Sequence, residues 1–135
     1  MKEIKLVSLT ILVLSLFACD PESCDDYLIK NTTKENLEIY FFSFEKTQKE
    51  SFVEINSNSY YNQESNCALG NSWRFEYFMI DSIQIKISDV VVKTYYPDSP
   101  GKNIFNTQDQ DSWRISESKK YYRKFVFEIT EEDLN

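Results

Sequence analysis

A two-residue period constrains the fold of this chain more than any other feature. Ser82, Gln84 and Lys86 alternate with Ile83, Ile85 and Ile87, the pattern of a strand with one face in water and one in a core, since successive side chains point to opposite faces. Ser88-Asp89 supplies a tight turn and Val90 to Tyr96 returns as the partner strand, so the segment predicts a hairpin. The period recurs on both sides. Trp73, Phe75, Tyr77 and Met79 share one face of an expected strand whose other face carries Arg74, Glu76, Phe78 and Ile80. Phe125, Phe127 and Ile129 point inward while Lys124, Val126 and Glu128 point out. Tyr27 to Asn31 and Leu37 to Phe44 read as a hairpin around the polar stretch Thr32 to Asn36, with Ser51 to Ile55 as a further strand. Asn56 to Asn66 and Pro97 to Asp111 read as longer loops. Thr130 stands as a hydroxyl cap before Glu131-Glu132-Asp133, which predicts a short C-terminal helical turn. The expectation is an all-β fold, an antiparallel β-sandwich of about seven to eight strands.

The N-terminus follows different rules. Met1 to Lys5 carry two lysines against one glutamate, and Leu6 to Phe17 then run 12 residues with nothing more polar than Ser8, Thr10 and Ser15. A bilayer-spanning helix needs about 20 apolar residues, whereas a run of this length suits the apolar region of a signal peptide. The following Leu16-Phe17-Ala18-Cys19 resembles a lipobox, with an aliphatic residue three before the cysteine and a small one immediately before it. That resemblance implies cleavage after residue 18 and a lipid on the Cys19 sulfur. The expected organisation is a signal peptide over 1–18, lipidated Cys19 with a short tether over 19–26, and a single β-sandwich domain over 27–135.

Lipidation of one of the three cysteines leaves Cys24 and Cys67 as the only intramolecular pair of the mature chain. Outside the cytoplasm such pairs persist as disulfides; two separate buried thiols are the alternative. Removing 18 of the 135 residues takes away two lysines and one glutamate and moves the net charge from −7 to −8. Nucleic acid and anionic headgroups are therefore poor electrostatic partners for the chain as a whole. Two Trp, nine Tyr and ten Phe argue for a packed core and against disorder.

Residues with chemistry are few. The chain has no histidine, which excludes His-dependent triads and His-ligated zinc, and two glycines are too few for a phosphate-cradling loop. No cofactor or metal is expected. Glu76, flanked by Phe75 and Tyr77 with Arg74 two positions away, is the best single carboxylate candidate for glycoside hydrolysis, set against the plainer reading of a solvated strand residue. Asp109 and Asp111 start like a calcium loop, but Trp113 and Arg114 stand where that loop needs a ligand and a glycine. Three adjacent pairs, Tyr60-Tyr61, Tyr95-Tyr96 and Tyr121-Tyr122, each turn one ring outward if they lie in strands, forming a candidate surface for a sugar or another protein. Lys119-Lys120 and Arg123-Lys124 form the basic cluster, read as protection against edge-to-edge strand pairing.

Ile29-Lys30-Asn31-Thr32-Thr33, Asp81-Ser82-Ile83-Gln84-Ile85 with Asp89, and Phe127 to Asp133 together resemble the landmarks of small uncharacterised lipid-anchored β-domain lipoproteins of Bacteroidota-type bacteria. The resemblance implies outer-membrane anchoring and no defined activity. Asp81-Ser82-Ile83 also resembles the acidic, hydroxyl, aliphatic site of protein O-glycosylation in that group, with Ser82 as the acceptor. The functional expectation is a non-enzymatic envelope module that meets the membrane through its lipid and binds an envelope protein or glycan. A carbohydrate- or peptide-binding accessory lipoprotein and a small carboxylate-dependent hydrolase are the alternatives. A surface row of aromatic rings distinguishes the first alternative, and two carboxylates converging in a cleft the second.

Overall fold

A computed structural model of the chain describes residues 21–44, 51–72 and 74–134. The signal-peptide segment, Cys19 and Trp73 lie outside the described residues. Eight strands run in chain order as β1 (Glu22–Asn31), β2 (Leu37–Phe42), β3 (Ser51–Ile55), β4 (Tyr60–Leu69), β5 (Ser82–Ile87), β6 (Val90–Tyr95), β7 (Arg114–Lys119) and β8 (Tyr122–Ile129), followed by a 3-10 turn over Glu131–Leu134. They form two four-stranded sheets, β4-β1-β8-β7 and β3-β2-β5-β6. The fold is the expected all-β sandwich, with one pair, β1 and β8, running parallel in an otherwise antiparallel arrangement.

Alternation places the core. Tyr27 and Ile29 of β1, Leu37 and Ile39 of β2, Ile83 and Ile85 of β5, and Phe127 and Ile129 of β8 are almost wholly buried between the sheets. Each such side chain contributes roughly 1.5–3 kcal/mol by leaving water. Trp113, just before β7, fills the interior, and its indole N–H donates to the Ile104 carbonyl at 2.9 Å. The expected hairpin is present as β5 and β6, turning at Ser88 and Asp89, both with positive φ; two such residues in succession match the twist of the strands they join.

The inward face of β1 begins and ends with a polar residue. Asp25 is fully buried and takes both arms of the Arg123 guanidinium, at 2.8 and 2.7 Å, together with the Ser72 hydroxyl. The bonds to Asp25 hold Arg123 above its ordinary pKa. A buried charge survives only when paired in this way. Arg123 thus faces the interior, which corrects its reading as an edge-protecting surface charge. At the other end, buried Asn31 donates to the Glu35 and Ile55 carbonyls at 2.7 and 3.0 Å and accepts from the Thr33 N–H and hydroxyl. These bonds fold Thr32 to Asn36 into a crossing from one sheet to the other, so the expected hairpin between Tyr27–Asn31 and Leu37–Phe44 does not form.

Three further expectations are corrected. The polar stretch Asn56 to Asn66 is largely strand, because β4 is an edge strand with an exposed outer face that tolerates Asn, Glu and Ser. The segment 74–80 is irregular: Phe75, Tyr77 and Ile80 pack against the core, whereas Met79, at φ 60°, is turned outward. Finally, β1 begins at Glu22 and not at Tyr27, which takes most of the expected tether into the sheet. Cys24 and Cys67 oppose each other in the β1 and β4 register and form a disulfide, with Cα atoms 4.1 Å apart across a sequence separation of 43. Closing such a loop stabilises the fold by about 4 kcal/mol on the chain-entropy estimate.

Candidate functional site

Two irregular connections meet beside the sandwich. In the first, Phe75 packs its ring 5.5 Å from Tyr27, and Tyr77 lies edge-on to both Phe75 and Phe105 at 4.8 and 5.4 Å. With Phe75 and Tyr77 turned to the core, Glu76 between them is sent outward. Burial, and then the neighbouring Tyr61, push the Tyr77 hydroxyl well above its ordinary pKa, and this oxygen makes no hydrogen bond.

The second connection, from Pro97 to Ser112, is wired by polar side chains. The fully buried Asn103 amide donates to the Tyr96, Pro97 and Ser99 carbonyls, its side-chain oxygen accepts from the Phe105 N–H, and its own N–H reaches the Ser112 hydroxyl. That hydroxyl donates to Asp109 Oδ2 at 2.9 Å, while Asp109 Oδ1 accepts from the Asp111 N–H at 3.2 Å. The Asp109 carboxylate is thereby tied into its own loop. The acidic pair noted in the sequence shapes a turn, and among the described residues no group of three or more His, Cys, Asp or Glu side chains could hold a metal ion.

Side-chain bonds join the two connections. The Thr107 hydroxyl donates to the Phe75 carbonyl. Arg74 donates to Gln108 Oε1 at 3.1 Å, and Gln108 Nε2 donates to Glu76 Oε1 at 2.9 Å. Between them lies an open cleft of about 570 Å³, lined by Glu76, Tyr77, Pro97, Phe105, Asn106, Thr107, Gln108 and Asp109. This volume is in the range of small-molecule sites, and rings beside a few fixed polar groups are their usual make-up. Among the described residues its lining holds two carboxylates and no basic side chain, so an anionic ligand would meet repulsion.

The tyrosine pairs do not assemble into one platform. Tyr60, Tyr96 and Tyr121 are the exposed members, while Tyr95 is buried and Tyr61 packs against the core. Tyr122 donates to Asp26 Oδ2 at 2.6 Å. Tyr60 lies opposite Lys30 and Tyr122 opposite Cys24, at the two ends of β1; six strand residues separate those levels by roughly 20 Å. Ser82 opens β5 beside Phe42 and is partly exposed.

One aromatic group escaped sequence reasoning. On the outer face of β2 and β3, Tyr40 stacks on Phe52 and Phe42 at 5.2 and 6.4 Å, with the Lys86 ammonium 4.0 Å from its ring centre. The rings cover one another, so Phe52, 60% exposed, is the one that presents free surface. The signal was the outward half of Leu37 to Phe42, where Tyr40 and Phe42 follow Glu38.

Among the described residues no helix is long and apolar enough to cross a membrane. No family model, curated protein or solved structure matches the chain.

Proposed function

We propose that this chain is a lipid-anchored β-domain of the cell envelope, held at Cys19, that works by contact and takes a neutral carbohydrate into the cleft between residues 74–80 and 97–112. The relay from Arg74 through Gln108 to Glu76 carries the reading. It holds an amide and a carboxylate at fixed orientation beside the Tyr77 and Phe105 rings. Sugars offer the matching chemistry, hydroxyls for the polar fork and C–H faces for the rings. The lack of a basic group among the described lining residues favours an uncharged ligand.

A second reading has its own support: Glu76 and Asp109 line the same cleft, as a pair of hydrolytic carboxylates would. Against it, both Asp109 oxygens already accept bonds from its own loop.

Calorimetric titration of the mature protein with a panel of neutral oligosaccharides separates the readings. Gln108→Ala should weaken binding about tenfold, the loss of one or two hydrogen bonds, while Glu76→Gln, which keeps the acceptor oxygen, should change it less than about threefold. Oligosaccharide turnover that Glu76→Gln abolishes would replace the contact reading with the hydrolase.

A further inference from the structure

The first residue described, Pro21, lies two positions after Cys19, which places their Cα atoms at most about 7 Å apart. Resting on the proposed anchor at Cys19, whatever surrounds Pro21 is therefore at the height of the lipid headgroups, a layer roughly 5–8 Å thick on each side of the bilayer. Two features flank that point. On one side the β4 strand ends at Leu69, opposite Glu22, and the Gly70 N–H donates to the Pro21 carbonyl at 3.0 Å. On the other side the turn between β7 and β8 carries Lys120 and Tyr121, and the Tyr121 carbonyl accepts from the Cys24 N–H at 2.9 Å.

We propose that this end of the β4-β1-β8-β7 sheet is a lipid-contacting seat, in which Leu69 and the Lys120-Tyr121 turn enter the headgroup layer on either side of the anchor. Leu69 is 78% exposed and Tyr121 41% exposed, an apolar cost that water leaves uncompensated and a bilayer interface relieves. A tyrosine ring with a polar tip suits that interface. The Lys120 ammonium, 5.0 Å from the Tyr121 ring centre, has a stem long enough to lie along the ring while its charge stays with phosphate. Glu22 lies at this end, and Glu117, beside the turn, is engaged by Lys119 and Lys124, in a mature chain whose acidic excess an anionic bilayer repels. The lysine turn is thus a local exception to the whole-chain charge.

The lipidated mature protein, reconstituted into vesicles of phosphatidylethanolamine and phosphatidylglycerol with a photoreactive lipid labelled at headgroup depth, tests the seat. After irradiation, peptide mapping should find label on Leu69 and on Lys119 to Tyr122 at least about fivefold above the exposed edge strand Val90–Tyr95. Leu69→Ser with Tyr121→Ser, at exposed positions, should remove that excess. Even labelling on a protein whose intact mass retains the Cys19 lipid overturns the seat alone. An intact mass without lipid overturns the anchor, and the seat with it.

Discussion

The two walls of the cleft are built on opposite principles. Residues 74–80 are held by rings: Phe75 and Tyr77 pack against Tyr27, Phe41 and Phe105, and the Tyr77 hydroxyl contributes no bond. Residues 97–112 are held by polar wiring that runs from Asn103 to Ser112 to Asp109. Packing is non-directional and tolerates a side chain of similar shape, whereas buried hydrogen bonds lose their whole value when one partner goes. The cleft therefore has one wall that can adjust and one that cannot.

The difference can be broken at three places. Tyr77→Ala should cost about 3 kcal/mol in urea unfolding, because it removes the ring that joins the walls. Tyr77→Phe should be neutral or stabilising by comparison, since it deletes only a buried hydroxyl without a partner. Equal losses in the two variants would mean that polar bonding holds this wall as well. Asn103→Ala should follow with about 2 kcal/mol, through several carbonyls left unsatisfied at once. A loss below about 0.5 kcal/mol would show that the loop keeps its shape without the wiring.

The smallest effect depends on pH. Lys102, in the wired loop, reaches Asp133 of the C-terminal turn at 2.6 Å. Burial alone would raise the Asp133 pKa, but the bonds from Lys102 and Thr130 outweigh it and hold the carboxyl below its ordinary value. A depressed carboxyl stabilises the fold fully above the unfolded value of about 3.9, and that contribution disappears as pH falls through the folded value. Asp133→Asn should then lower stability by about 1 kcal/mol at pH 7 and flatten the acid side of the stability curve. An unchanged acid limb would separate the loop from the C-terminal turn.

Strand faces were more legible in the sequence than strand partners. The hairpin of Ser82 to Tyr95 could be read, because a two-residue turn sets its two strands side by side; β2, on the other side of β5, could not. Tyr27 to Asn31 and Leu37 to Phe44 were legible as strands but not in their pairing. A five-residue link such as Thr32 to Asn36 can close a hairpin or cross between sheets, and the buried side chain of Asn31 decides for crossing. Of the residues lining the cleft, only Glu76 and Asp109 stood out in the sequence as candidates for chemistry. Thr107 and Gln108 bond to partners 32–34 residues away, and a periodicity reading sees no further than one strand.

Cross-linking also matters under force. For a domain hung from Cys19, as proposed, any tug from a moving membrane enters at the first residue of β1. An edge opened from its end unzips one rung at a time, but Cys24 is bonded covalently to β4 at the third position of the strand. Only Glu22 and Ser23 can peel before the load passes into a second strand. On its other side β1 runs parallel to β8 from Cys24 to Asn31, so a pull along its axis must shear many backbone bonds together. The disulfide turns a tether that could unravel the sheet into a handle that moves it whole.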